Sequence, residues 1–307
     1  MSMRYPAGFI SAFYNPLQNP DAPTIGTASA SPGGISVAFT APANVGGSAI
    51  TSYTATAKRT SDGVLFTASG SSSPITVTGL TAVAFTATVV AVNSYGPSAS
   101  SAASNSVTPI PTVGDAFGGG YYAGQIGVSS VATHYLVVGP VASAQNLSIT
   151  YKNAATATAG ADSVIDGPQN TADIVADGNS TVYPAGHFCN NLVIGGFSDW
   201  YMPAKNELEV CYFNLKPDST SNQTSSGINA NAVPARASNY TAGTPAQTTA
   251  TDFQSSGAED FVADSYWSST EFSALYAWVQ YFNNGRQKSD GYKSSSGRVR
   301  AVRRVAV

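Results

Sequence analysis

Apolar and polar residues alternate along the first third of the chain, and the alternation breaks only at short clusters of glycine, proline and aspartate. Ile35-Ser36-Val37-Ala38-Phe39-Thr40, Ile50-Thr51-Ser52-Tyr53-Thr54-Ala55-Thr56 and Ala84-Phe85-Thr86-Ala87-Thr88-Val89-Val90-Ala91-Val92 all follow a period of two. That period sends every second side chain to one face of a strand. Pro32-Gly33-Gly34, Gly46-Gly47 and Asp62-Gly63 supply turns between the runs. Seven short strands at this spacing over residues 23–109 predict an antiparallel β-sandwich.

The pattern changes after Pro109. Residues 110–112 form a short stiff linker, and residues 113–307 read as a second domain of mixed character. A glycine-rich opening, Val113 to Tyr122, leads to a strand over His134–Val138. Asp166 to Ile174 and Pro184 to Asn191 read as helical pieces. The clearest helix runs from Pro203 to about Lys216, because Leu208, Cys211, Tyr212 and Leu215 fall at i, i+3, i+4 and i+7. Pro203 suits its first position, Lys216 favours the negative end of its dipole, and Pro217 stops it. Residues 218–260, rich in Ser, Thr, Asn and Ala, predict a long irregular excursion. Two strands, Trp278–Phe282 and Gln287–Tyr292, flank an Asn284-Gly285 turn, and Arg298–Val305 closes the domain as one strand.

Three segments carry a resemblance. Gly-Phe-Ser-Asp-Trp-Tyr-Met-Pro-Ala-Lys-Asn-Glu-Leu at 196–208 is answered by Tyr266-Trp267-Ser268-Ser269-Thr270-Glu271 and then by Val299-Arg300-Ala301-Val302-Arg303. In this order and spacing they resemble the C-terminal domain of Legionella collagen-like proteins, a family with a C-type-lectin-like fold. Residues 23–109 resemble a bacterial fibronectin type III module. Pro23 opens it, Gly79-Leu80 precedes the long strand, Asn93-Ser94-Tyr95-Gly96 follows that strand, and Ser104 to Pro109 closes it. Phe39 stands where that family usually has Trp, and Phe85 where its corner Tyr is expected, which removes a hydroxyl hydrogen bond and predicts modestly lower stability. The resemblances imply a mostly β, two-domain protein: an immunoglobulin-like sandwich followed by an α+β, C-type-lectin-like domain. They also imply a display scaffold that binds glycans or proteins and catalyses nothing.

Composition narrows the role. Only 10% of the 307 residues are charged, with 14 Lys+Arg against 17 Asp+Glu and a net charge of -3. A near-neutral chain has no electrostatic footprint for nucleic acid, and no apolar run is long enough to span a bilayer. Residues 1–22, with Phe9, Ile10, Phe13, Tyr14 and Leu17 among three prolines, read as an arm that anchors the chain to a neighbouring protein. Pro6 and the missing apolar stretch make a poor secretory signal. Extracellular-type modules without a leader point to a phage structural protein, a tail fibre or decoration exposed after lysis. Its expected partners are other virion proteins through the arm and a host-surface glycan or protein, with no membrane insertion. A homotrimer fits such fibres, although no heptad repeat argues for one. The alternatives are a purely structural capsid or tail protein and a bacterial surface adhesin.

Catalytic and metal signals are missing. His134 and His187 lie far apart, and no Ser-His-Asp order emerges. His187-Phe188-Cys189 has no second ligand pair, and Gly118-Gly119-Gly120 lacks the Gly-Lys-Ser/Thr of a phosphate loop. Asp177-Gly178-Asn179-Ser180 lacks the spacing and closing Glu of a calcium loop. No cofactor or metal is expected. Cys189 and Cys211 read as small buried residues, with a single bridge between them left open.

Asp199 and Trp200 are expected to be structural, Asp199 pairing with Arg300 or Arg303 to set the register of the fold, and Trp267 is read the same way. The segment after the Trp-Ser-Ser cluster has the Tyr, Asn and Gly content of an adaptable recognition surface. Alternate strand residues must point inward, so Trp278 and Phe282 are assigned to the core. Tyr276, Gln280, Asn283, Arg286, Lys288 and Tyr292 are the candidate ligand-binding residues.

Overall fold

The computed structural model describes residues 17–307. Residues 1–16, most of the expected arm, lie outside the described residues. The chain divides into two compact units, Met1–Thr112 and Val113–Val307.

In the first unit, β1 (Thr24–Ser31), β2 (Gly34–Thr40) and β5 (Ile75–Thr78) form one antiparallel sheet, in the order β1-β2-β5. The other sheet runs β4-β3-β6-β7, from β3 (Ser52–Arg59), β4 (Leu65–Gly70), β6 (Phe85–Asn93) and β7 (Gly96–Pro97). Ile35, Val37, Ile75 and Val77 from the first sheet share one core with Tyr53, Ala55, Phe85, Ala87 and Val89 from the second, which makes the unit a β-sandwich. Phe39 packs on Tyr53 at 4.7 Å between ring centroids. Phe85 is fully buried and meets Phe66 edge-on at 5.9 Å, so the corner position is filled by a ring that needs no hydroxyl partner.

Beyond β7 the edge is closed by serines spaced three apart. Ser98, Ser101 and Ser104 accept from the N–H groups of Ala91, Val89 and Ala87 through their hydroxyls. Their own N–H groups donate to the carbonyls of the same three residues. The last described residues of the expected arm are tied to the sandwich: Gln18 and Asp21 donate to the Gly46 and Asn44 carbonyls, and Asn93 Nδ2 donates to the Gln18 carbonyl.

The second unit has two sheets. One runs β16-β10-β9-β8, from β8 (Ala116–Phe117), β9 (Gly120–Val128), β10 (Val131–Val138) and β16 (Val302–Ala306). The other runs β11-β15-β12-β13-β14, from β11 (Gln145–Thr150), β12 (Ser265–Glu271), β13 (Tyr276–Tyr281), β14 (Gln287–Tyr292) and β15 (Ser296–Arg300). The helices are α1 (Val141–Ala144), α2 (Gly167–Asp177), α3 (Pro184–Asn190) and α4 (Lys205–Leu215). No helix among the described residues is long and apolar enough to cross a membrane.

The expected single closing strand is two strands in two sheets. At Ala301 the N–H donates to the Ala144 carbonyl and the carbonyl accepts from Gly139, so this residue leaves both ladders. The chain changes sheets there, β15 lying between β11 and β12 while β16 pairs with β10.

Helix α4 begins two residues later than expected. Ala204 is extended (ψ 164) and serves as the N-cap, and Glu207 turns back to accept from its N–H at 2.8 Å. Pro203 therefore precedes the helix. Asn206 to Tyr212 are all buried, so α4 is enclosed nearly all round rather than along one stripe. Lys216 is buried as well, donating to the Thr220 and Pro245 carbonyls instead of meeting solvent at the helix end. Cys189 and Cys211 are both free and fully buried, so no bridge joins them.

Candidate binding face

Strand β13 decides what faces outward. Ala277 and Val279 enter the core with Trp267, Val299 and Ala301. By parity Tyr276 and Trp278 must stand on the opposite face. Trp278 is therefore not core, contrary to the expectation from its size: two small apolar neighbours hold the inward positions. It is half-buried, with Phe272 edge-on at 5.9 Å and Lys205 Nζ 4.7 Å from its ring centroid. The Lys205 side chain has no hydrogen-bond or ion-pair partner among the described residues, and burial holds its ammonium below the ordinary lysine value.

Tyr276 and Tyr292 are direct cross-strand partners with ring centroids 4.8 Å apart. A hydrogen bond to the Tyr292 hydroxyl pushes the Tyr276 phenol up. Phe272 and Ser273 both donate to the Tyr276 carbonyl, folding the β12–β13 connection tightly against the hairpin. The result is a ledge of Phe272, Leu275, Tyr276, Trp278 and Tyr292, with Phe272 58% and Tyr292 49% exposed.

A charged base fixes the ledge from below. Glu271, next to Phe272, is buried and accepts from Thr158 N–H at 2.9 Å and from the Lys293 ammonium. Lys293 in turn donates to the Thr156 carbonyl, which Lys152 also reaches at 3.0 Å. Trp267 is buried beside them and donates Nε1 to the Ile149 carbonyl at 3.1 Å.

The six expected ligand-binding residues do not share one face. Tyr276 and Tyr292 lie on the ledge. Asn283 and exposed Arg286 lie at the Asn284-Gly285 turn, the far end of the hairpin. Lys288 is engaged with Asp290 at 2.7 Å. Gln280 is 1% exposed and cannot reach a ligand. Strand parity alone puts it outward, but the first turn of α4 covers that end: Gln287, its cross-strand partner, donates to the Lys205 carbonyl. Phe272 and Leu275 fall in the segment read as a recognition surface but outside the six candidates, whereas Trp278 was assigned to the core and Lys205 lies outside that segment. The inward Ala277 and Val279 carried the signal for Trp278, whereas Lys205 lies on another element far away in sequence.

The structural motif separates into two arginines with different partners. Arg303 holds Asp199 with Nε at 2.8 Å and Nη2 at 2.9 Å, and the hydrogen bonds from this arginine keep the Asp199 carboxyl below its ordinary value. Arg300, fully buried, is not a partner of Asp199. It donates to Glu259 Oε2 at 2.7 Å and to the Gly139 carbonyl at 2.8 Å, which anchors the end of the irregular excursion. Trp200 is buried at 2% exposure. Among the described residues no three His, Cys, Asp or Glu side chains converge as a metal site.

Nothing among the curated proteins matches the chain. Among solved structures it is similar to domains A168–A170 of titin, at 24% identity and TM-score 0.28, covering 30% of this chain and 33% of that one. The C. elegans twitchin kinase region is 21% identical with TM-score 0.28, covering 30% of this chain and 17% of that one. A human fourth FNIII domain determined in solution is 19% identical with TM-score 0.28, covering 36% of this chain and 96% of that one. The chain thus spans a third or less of the titin and twitchin structures. Residues 152–303, which hold the ledge, its charged base and both arginine pairs, match the family model of the Lcl C-terminal domain.

Proposed function

We propose that this chain is a non-enzymatic adhesion protein whose second unit displays a C-type-lectin-like recognition face. One observation carries the reading: Phe272, Leu275 and Tyr292, all exposed, stand together with half-buried Tyr276 and Trp278 at a hairpin whose other face is core. Clustered exposed aromatics of this kind mark interaction sites, and their rings stack on sugars or anchor a protein partner at low entropic cost. The match to the Lcl C-terminal domain supports an adhesion module. In the wider role proposed, the protein belongs to a phage particle as a tail fibre or decoration. Residues 1–22 attach it to other virion proteins, the sandwich spaces the second unit outward, and many copies offset weak single contacts through effective concentration.

The test is binding of the full chain to a glycan array and to intact bacterial cells, beside a Phe272→Ala, Trp278→Ala, Tyr292→Ala variant. Binding that the triple change removes, with the melting transition preserved, supports the reading. Wild-type binding that survives the triple change moves recognition away from the ledge. Failure of a multimerised wild-type chain to bind anything sinks the adhesion role.

A further inference from the structure

A second site lies away from the ledge. A cavity of about 90 Å³ opens between β9, β10 and the start of α4. Ile126, Val128 and Ile165 form an aliphatic wall, and His134, Asn206 and Arg304 face it. Val128 and Ile165 are exposed at 62% and 37%, so the mouth is apolar as well.

The polarity of the opposing wall follows from its hydrogen bonds. Asn231 Nδ2 faces the Gly127 carbonyl at 3.5 Å, which leaves Asn231 Oδ1 to accept from Asn206 Nδ2 at 2.8 Å. The Asn206 amide is thereby oriented, and its Oδ1 takes no hydrogen bond among the described residues although Asn206 is 8% exposed. The Thr133 hydroxyl donates to the Ile126 carbonyl at 3.3 Å. His134 Nδ1, 3.0 Å from the Thr133 hydroxyl oxygen, must then be the donor, leaving Nε2 as an acceptor. Glu207 Oε1 accepts from the Tyr201 hydroxyl and Arg304 Nε, and Oε2 from the Ala204 N–H, and at 1% exposure this carboxylate adds little to the open wall. Arg304 spends Nε on Glu207 and Nη2 on the Ile165 carbonyl, and its Nη1 pairs with Asp166 at 3.6 Å, which leaves one N–H on each terminal nitrogen over.

The cleft therefore offers two acceptors, a cationic donor and an aliphatic wall, in the space of about three waters at roughly 30 Å³ each. A carboxylate would bring oxygens against the two acceptors, and a bare hydroxyl would leave the aliphatic wall wet. A group with one N–H, one carbonyl and one methyl matches the Asn206 acceptor, the cationic donor and the aliphatic wall, and makes no demand on His134 Nε2. We propose that this cleft binds an acetamido group, its N–H to Asn206 Oδ1, its carbonyl to Arg304 and its methyl against Ile126, Val128 and Ile165. An N-acetylated sugar and an acetylated lysine both supply that chemistry.

The experiment is a side-chain amide NMR titration of the full chain with N-acetylglucosamine, glucose, Nε-acetyllysine and lysine. Shifts at the Asn206 and Asn231 amides with an acetylated probe, but not with its unacetylated counterpart, support the site, and which probe acts identifies the source. Val128→Trp, which closes the mouth from an exposed position, is expected to weaken binding by at least tenfold, roughly the loss of one good contact. Val131→Trp, 68% exposed and outside the cleft, should leave it unchanged. Shifts with neither acetylated probe, equal shifts with glucose or lysine, or indifference to Val128→Trp in a folded protein would each overturn the proposal.

Discussion

Arg303 meets Asp199 side-on, with two guanidinium nitrogens on two carboxylate oxygens at 2.8 and 2.9 Å, joining residues 104 positions apart. The same guanidinium lies 3.8 Å from the Phe197 ring centroid and donates to the Gly118 carbonyl at 2.7 Å. One side chain thus ties β16 to the opening of the second unit and to the loop before α4.

This pair predicts a pH dependence. The Asp199 carboxyl is held below its unfolded value of about 3.9, so its contribution is complete above that pH and fades as pH falls through the lower folded value. Asp199 is 55% exposed, which screens the pair, so Asp199→Asn should cost about 1 kcal/mol at pH 7. The gap in urea midpoints between wild type and variant should shrink on acidification below the ordinary carboxylate range. A gap that stays constant would mean that the charge is not its source.

Binding and stability should separate around β13. Phe272→Ala and Tyr292→Ala remove exposed rings and should change stability by no more than about 0.5 kcal/mol while abolishing adhesion. Gln280→Ala, at a buried position, should do the reverse. Paired melting and binding measurements on the three variants check this, and adhesion lost only with Gln280→Ala would contradict the ledge.

The serine-spaced edge of the sandwich gives a third test. Ser101→Ala leaves the Val89 N–H without its 2.9 Å partner and should cost about 1–2 kcal/mol. Ser100→Ala, at an exposed position beside it, should stay within about 0.5 kcal/mol. Amide exchange at Val89 should quicken only in the first variant.

Glu209 should govern the irregular excursion. Its buried carboxylate accepts from Asn229 Nδ2, from the Tyr240 hydroxyl at 2.6 Å and from Arg236. Glu209→Ala removes the acceptor for three donors at once and should cost about 3–5 kcal/mol. Limited proteolysis of the folded variant should cut within residues 218–250, where the wild type resists.

The sandwich was legible because its strands alternate strictly, and β6 keeps one buried face from Phe85 to Asn93. Helix α4 was legible from Leu208, Cys211, Tyr212 and Leu215. Its enclosure was not, because Glu207 and Glu209 are buried only by virtue of Arg304, Arg236 and Tyr240, which arrive from distant segments. Trp278 and Gln280 were exchanged for one physical reason: residue type favours a buried Trp and an exposed Gln, while strand parity and the covering turn of α4 decide otherwise. Lys205 was invisible as a ledge residue, since its place beside Trp278 depends on how α4 packs.

The sheet change at Ala301 sets an order of events during synthesis. Both sheets of the second unit take in a strand from residues 296–306, and these pair with β10 and β11, laid down more than 140 residues earlier. A ribosome can release a finished sandwich while the second unit still waits. One of that unit's sheets cannot close until residue 300 has cleared the exit tunnel and the other until residue 306 has, so before then the emerging chain carries open sheet edges and depends on its handlers to keep them from pairing with another copy.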